Sequence, residues 1–410
     1  MAFGKLWVLA LRDLGRNRRR SLLSLLAVSL GLALLLFMNG FISGVVEDSL
    51  QNNIRLNTGH LQVRAESYQD TKVSLQWKDL LSDLDGLMAR VDGVAGVRAA
   101  APFLQAGGIL GTKDDSASLQ ILGIDTNSDV YAPIRDSVTA GAFLAADDRG
   151  GILLGKRLAD SMGIGVDSSV SLTVVDADGV AQDAFFTVRG LFATGIATYD
   201  ESTVLMPLSK AQALTHTEGH ATAVVILLDQ QDQADAAAAA LAGPGLSVQT
   251  WAQLNSAFIS TLDTAMSFYI ILDGIVMLIV AVIIANTLLM SVFERFREIG
   301  ILASLGMKAR QVMQLFLYEA TILGGAGVLL GVVLGGVLVW YLSRVGIYMG
   351  DDIASAAGSS YAMSSTLYPR FVPGQFLNLS LWTLAITVLA SLYPAWFAAR
   401  KEPVDALRAL

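Results

Sequence analysis

The chain has 410 residues, of which 53% are hydrophobic and only 16% charged, and a mean hydropathy of +0.55 is too apolar for an ordinary soluble enzyme. It contains no cysteine, so a disulfide framework and thiol or Cys-metal chemistry are excluded. A net charge of -8 argues against a nucleic-acid partner.

From the N-terminus, Leu6, Trp7, Ala10, Leu11 and Leu14 fall on one helical face, with Lys5, Arg12 and Arg16 elsewhere. That spacing suggests an amphipathic elbow helix over 1–20, lying on a membrane surface; a disordered basic tail is the plain alternative. Four apolar runs follow at about 21–44, 266–293, 312–342 and 376–399. Each reaches the roughly 20 residues needed to cross a hydrocarbon core. The first is too long for a signal-peptide core and continues through Phe37, Phe41 and Ile42 without a small-x-small cleavage site, so it reads as a retained anchor. The expected spans are 21–46, 263–293, 312–343 and 376–399.

Charge orients these spans. Residues 1–20, 294–312 and 394–410 together carry a balance of +8, whereas 42–262 carry -13. By the positive-inside rule both termini and the 294–311 connection are cytosolic, and 47–262 is extracytoplasmic, as is a shorter loop at 344–375. The large insert alternates strand signals at 61–64, 119–124, 151–154, 170–175, 185–191, 203–206 and 223–228 with helical ones at 78–91, 156–162 and 232–241. The fold class is therefore membrane α-helical, with four transmembrane helices and a large extracytoplasmic α+β domain between helices 1 and 2.

The most informative segment is 293–307, F-E-R-F-R-E-I-G-I-L-A-S-L-G-M. A connection meant only to turn the chain would carry Gly, Asn or Pro; this one carries helix formers. Ile299, Leu302 and Leu305 make an apolar stripe at i, i+3 and i+6, flanked by Glu294, Arg297 and Glu298, and Gly306 stops the helix. The segment reads as a docking element.

It resembles, nearly position for position, the coupling helix of the FtsX/MacB/LolC-LolE superfamily of ABC transporter permeases, E-R-x-R-E-I-G-I-L-x-A-L-G. The insert resembles the MacB-type periplasmic domain at 93–97, 122–125, 155–159 and 186–192, and 393–408 resembles the family's closing pattern. The resemblance implies a type VII permease whose ATPase-docking residues are Glu294, Arg297, Glu298, Ile299, Gly300, Leu302, Leu305, Gly306 and Met307. It implies a cytosolic ATPase dimer that holds the ATP and Mg, with no cofactor in this chain. A second permease copy or paralogue completes the assembly in a bacterial inner membrane. The implied task is lipoprotein release or amphiphile export by mechanotransmission, with levers in the first span and in 251–267. It further implies a subdomain inserted at about 113–212. An FtsX-like regulator of a cell-wall hydrolase and MacB-like efflux with a periplasmic adaptor are the alternatives, and an anchored extracellular enzyme is a third class.

Other motifs yield to plainer readings. Residues 150–156 read G-x4-G-K, but Arg157 stands where a Walker A loop needs Ser or Thr. His216 and His220 lack an H-E-x-x-H context and suit a surface loop, and Asp176 to Gly179 suits a hairpin turn. No nucleophile and base stand together, so a non-catalytic subunit is expected. Two acids fall inside spans, where ionised carboxylates are costly. Asp273 suits an interhelical hydrogen bond, and Glu319 a tie to a basic residue of the coupling or elbow helix. Gly324, Gly327, Gly331 and Gly335 give small-xxx-small spacing for close helix packing.

Overall fold

The computed structural model describes residues 2–16, 18–69, 73–148, 150–350 and 363–400, with side chains undescribed at 2–6 and 303. The expected cytosolic tail from 401 onward, with the end of the closing pattern, and the middle of the 344–375 loop lie outside those residues. Two compact units emerge: a helical one of 1–46, 263–347 and 367–410, and a sheet-bearing one of 47–262 and 348–366.

The helical unit begins with α1 (Ala2–Arg16) and α2 (Arg18–Asn53). The sheet unit then supplies β1 (Leu61–Ala65), α3 (Leu84–Asp92), β2 (Val97–Gly111), β3 (Ser116–Ile124), α4 (Ala132–Arg135), β4 (Val138–Gly141), β5 (Gly151–Gly155) and α5 (Lys156–Met162). It continues with β6 (Ser169–Val175), β7 (Ala181–Phe192), α6 (Ala197–Ser202), β8 (Thr203–Pro207), α7 (Leu208–Thr215), β9 (Ala223–Leu228), α8 (Ala234–Leu241), β10 (Leu246–Thr250) and α9 (Trp251–Leu254). The chain returns through α10 (Ser256–Glu294), α11 (Phe296–Ser304), α12 (Ala309–Val345) and α13 (Pro373–Ala399).

Helices α2, α10, α12 and α13 are long and apolar enough to cross a membrane. At 1.5 Å per residue, the 36 residues of α2 and the 39 of α10 extend roughly 55 Å, nearly twice a hydrocarbon core of about 30 Å. The helix of the second span starts at Ser256, so most of the expected 251–267 extension is part of α10 and only 251–254 forms a separate turn of helix.

Small residues set the helix packing. A Cβ added at Gly327 would meet Val28 Cβ at 2.7 Å, one at Gly331 would meet the Ser29 carbonyl at 2.9 Å, and one at Gly335 would meet Leu36 Cβ at 3.1 Å. Three successive turns of α12 thus seat α2 backbone to backbone, while Gly324 seats Thr387 of α13 at 2.7 Å. The apolar lipid solvent offers little drive for helix association, so this close contact takes its place. At the other end of the unit, Trp7 of α1 packs edge-on against Tyr318 of α12 with ring centroids 5.6 Å apart, and Ala10 is fully buried.

The sheet unit holds one ten-stranded sheet in the order β10-β1-β9-β2-β3-β8-β5-β7-β4, with β6 joining β2 to β7. The expected inserted subdomain at 113–212 therefore has no sheet of its own. The reason is β2: fifteen residues at about 3.4 Å each run some 50 Å, too long for one small sheet. Its first half pairs with β9 and its second with β3 and β6. The expected helix at 78–91 is also shorter, a 3-10 turn at Trp77–Asp79 followed by α3, which Asp83 caps by accepting from Gly86 N–H.

The α2–α12 seam predicts a specific sensitivity. Gly327→Leu should destabilise the purified full chain by roughly 1–3 kcal/mol, the usual cost of overpacking. Gly325→Ala should not destabilise, and helix propensity favours it by up to about 1 kcal/mol, since nothing lies within 4 Å of its added Cβ. Thermal unfolding in detergent measures both; equal midpoints would show that the seam is not tightly packed.

Candidate functional site

The connection between α10 and α12 is built from two opposed faces. Inward, Ile299 is buried with Val292 of α10, Val312 and Phe316 of α12, and Ala395 and Ala398 of α13, and Met307 packs against the same cluster. Gly300 is also buried and Leu302 half-buried. Outward, Leu305 is 80% exposed, Ile301 45% exposed, and Arg297, Ser304 and Gly306 are exposed as well. The stripe expected from Ile299, Leu302 and Leu305 is thus divided. An i, i+3, i+6 series drifts by about 60° per step around a helix, about 120° in all, whereas Arg297, Ile301 and Leu305 stand four apart and share one face. Ile301 is the residue the sequence reading missed, and the i+4 spacing was the signal for it.

Gly306 ends the element as expected. Its φ of +95° is a conformation that side chains resist, and it lets Met307 N–H donate to the Leu302 carbonyl at 3.0 Å. Lys308 N–H then donates to Gln311 Oε1 at 2.9 Å to open α12.

The charged residues expected beside the stripe point elsewhere. Glu298 accepts from Arg16 at 2.8 Å and from Arg295 at 3.0 Å, and Glu294 pairs with Arg20 at 2.8 Å. Arg295 reaches further, to Asp13 at 2.6 Å. Behind them sits Glu319, only 1% exposed, 3.4 Å from Arg20 and 3.8 Å from Arg295. Three guanidinium groups from α1, α2 and the α10–α11 junction therefore serve four carboxylates from α1, α10, α11 and α12. The hydrogen bond from Arg295 is the largest influence that holds the Glu298 carboxyl below its usual range. Of the positions implied by the family pattern, Glu294, Glu298, Ile299, Gly300 and Met307 anchor the connection, while Arg297, Leu305 and Gly306 remain on its surface. Asp13, Arg16, Arg20 and Arg295 complete the network; a tie of Glu319 to a basic residue of the elbow or coupling segment was expected and Arg20 and Arg295 are those residues, whereas the pairings with Asp13, Glu294 and Glu298 were not legible.

Asp273 accepts from Asn39 Nδ2 of α2 at 3.0 and 3.2 Å, a polar tie between α2 and α10 within the spans. The histidines do not come together. His216 Nδ1 lies 3.1 Å from Asp176, whereas the His220 ring stacks edge-on against Trp77. Asp176, His216 and Asp178 are close enough to hold an ion, yet Asp176 already accepts from Asp178 N–H, Val180 N–H and Gln182. Its carboxylate is spent on closing the β6–β7 hairpin.

Removing Arg295 should be far more damaging than removing a free surface cation. Arg295→Gln leaves buried Glu319 and Asp13 short of a partner, and should cost about 3–5 kcal/mol. Arg19→Gln, on the exposed start of α2, should stay within about 0.5 kcal/mol. Unfolding of the two variants in the same detergent compares them; equal stability would mean that the network contributes nothing.

A MacB-like periplasmic core domain model matches residues 21–243, and an FtsX-like permease C-terminal model matches 270–403. The lipoprotein-releasing system transmembrane protein LolC of Xylella fastidiosa is 27% identical, covering 98% of each chain. LolE of Haemophilus influenzae is 23% identical over 94% of this chain and 93% of its own. The macrolide export ATP-binding/permease protein MacB of Hyphomonas neptunium is 24% identical over 97% of this chain and 60% of its own length. With four apolar helices, a helix-bearing connection between the second and third, and one of these models matching more than half of its length, the chain belongs to the FtsX/MacB family of ABC transporter permeases.

Proposed function

We propose that this permease docks a separate cytosolic ABC ATPase through the outward face of α11 and releases lipoproteins, or similar amphiphiles, from the bacterial inner membrane. The observation that carries the reading is the division of one short helix into a clamped face and an open one. Nine residues form a marginal helix in isolation. Here Ile299 and Glu298 fix it to the body of the helical unit, while Arg297, Ile301 and Leu305 are left uncovered. A force applied to the open face would pass into α1, α2 and α12 through the ion network rather than be lost in a floppy loop.

In this reading ATP and Mg belong to the partner, and the chain itself contributes no catalytic group. A second copy or paralogue completes the assembly. The lengths of α2 and α10 support the lever role, since each is a single helix long enough to extend well past a bilayer core. Alignment with LolC and LolE over nearly the full length supports lipoprotein as the cargo. The MacB relatives support a second reading, export with a periplasmic adaptor, and the cargo found in the releasing assay distinguishes the two. The charge balance supports cytosolic termini, a cytosolic α11 and an extracytoplasmic sheet unit.

Two experiments test this. Ile301→Asp combined with Leu305→Asp should reduce ATPase copurification on the order of tenfold, because charge replaces an apolar contact at the centre of a small interface. The permease should still fold, since neither side chain is buried. Undiminished copurification would remove α11 as the docking element. Orientation can be read by single cysteines, since the native chain has none. Asp178→Cys should react with an impermeant maleimide in intact cells freed of their outer membrane, and Lys308→Cys only after permeabilisation. The reverse labelling would overturn the topology and the docking reading together.

A further inference from the structure

Helix α2 ends, and α10 begins, inside the sheet unit, and neither joint is plain helix. Past Asn53 the chain enters a π-helical turn, Ile54–Thr58, a rare backbone form that clusters at functional sites. Gly59 closes it at a φ of +63°, donating its N–H to the Ile54 carbonyl at 2.8 Å. At the other joint a single residue, Asn255, parts α9 from α10, with a φ of -99° and a ψ of 17° that depart from helical values. Asparagine is weak in helix interiors because its amide competes for hydrogen bonds, so both joints fall where the sequence supplies one.

The two amides meet. Asn53 Nδ2 donates to Asn255 Oδ1 at 2.6 Å, and Asn255 is 3% exposed. Each amide is also fixed on its other side. Asn53 Oδ1 accepts from Asn57 Nδ2 at 3.0 Å, and the Asn57 carbonyl accepts from Gln62 Nε2 of β1 at 2.8 Å. Gln62 is held that way round because its Oε1 accepts from Arg64 at 2.6 and 2.9 Å. Asn255 Nδ2 donates to the Trp251 carbonyl at 2.7 Å, and the Trp251 N–H donates to the carbonyl of His60, one residue before β1, at 2.9 Å. The circuit is thereby closed, from α2 through the π turn to β1, across to α9 and back to α2.

We propose that the Asn53–Asn255 pair is a pin that holds the end of α2 and the start of α10 in one register, a positioning role that rests on the lever reading of the two helices. The chain itself does not provide this, since the two residues stand 202 apart in sequence. A π turn and a one-residue departure from helical geometry are each places where a helix bends. Unpinned, each joint would yield by itself, and displacement delivered along α2 or α10 would be spent in local bending. Pinned, the two ends move as one body with the paired strands β1 and β10. A single hydrogen bond serves because Asn255 is buried: separating the pair would leave its side-chain oxygen without a partner and out of water.

The test uses the full-length permease in nanodiscs with the ATPase that copurifies with it. The native chain has no cysteine, so spin labels on Gln51→Cys and Ala257→Cys, both exposed positions, report the separation of the two joints alone. The distance should be single and equal before and after the ATPase is trapped with ATP and vanadate, and an added Asn53→Ala should broaden its distribution. A distance that changes on trapping, or a distribution indifferent to Asn53→Ala, overturns the pin. The first comparison keeps both asparagines and does not depend on an alanine variant folding. Lipoprotein released per ATP hydrolysed gives the functional readout. Asn53→Ala and Asn255→Ala should each lower it about threefold or more, and the double variant no further, since one contact is lost in all three. Unchanged release in both single variants overturns the positioning role. A native chain that keeps one distance yet releases no lipoprotein loses the lever reading and retains the pin.

Discussion

The carboxylate of Glu319 constrains the rest of the helical unit. An ionised acid removed from water costs several kcal/mol unless charge and hydrogen bonds replace its hydration. Arg20 and Arg295 supply opposing charge from two other segments, with one hydrogen bond, from Arg20 at 3.4 Å, and each is held in turn by a further acid, Glu294 or Asp13. The start of α2, the α10–α11 junction and the middle of α12 must therefore stay together. Moving any one of them away would strand a buried charge. This ties the α11 connection to the body of the helical unit by charge as well as by the burial of Ile299.

The same constraint explains why the family-like residues fall on both sides of α11. Glu298 and Ile299 carry the anchoring, one by charge and one by burial, so they are directed inward. Arg297, Ile301 and Leu305 carry none of it and are directed outward. Sequence periodicity identified the helix, its charges and its glycine stop. It could not assign the faces, because a short connection with apolar residues at 299, 301, 302 and 305 has two possible stripes. Only the positions of Val312, Phe316 and Ala395, distant in sequence, decide which stripe is covered.

Elsewhere, legibility followed how strongly local chemistry speaks. Helix α5 and strands β5, β8 and β9 were readable because β-branched or long aliphatic runs are bounded by Gly, Pro or Asp. Strand β2 was not. Its sequence, V-R-A-A-A-P-F-L-Q-A-G-G-I-L-G, is rich in residues with poor strand preference, and it is extended because partners on both sides impose it. The inserted subdomain was implied by the resemblance, and it is β2 that joins strands of 113–212 and strands outside it in one sheet. The four spans were legible throughout, since apolar length needs no partner to be recognised. Their packing was half legible: the glycine series announced a close approach, but not that α2 would be the helix received by Gly327, Gly331 and Gly335.

Two kinds of polar contact divide the labour between α2 and its neighbours. Near its start, Arg20 enters a network of several full charges, whose strength depends on all members remaining in place. Further along, Asn39 meets Asp273 of α10 in a single amide–carboxylate contact. Hydrogen bonds between helices in membranes are worth little individually, about 0.6 kcal/mol on average, because displaced partners find substitutes. The α2–α10 contact is thus much the easier of the two to remake. Between the two, α2 is seated on Gly327, Gly331 and Gly335 of α12, so a movement of α2 away from α10 would have to carry α12 with it.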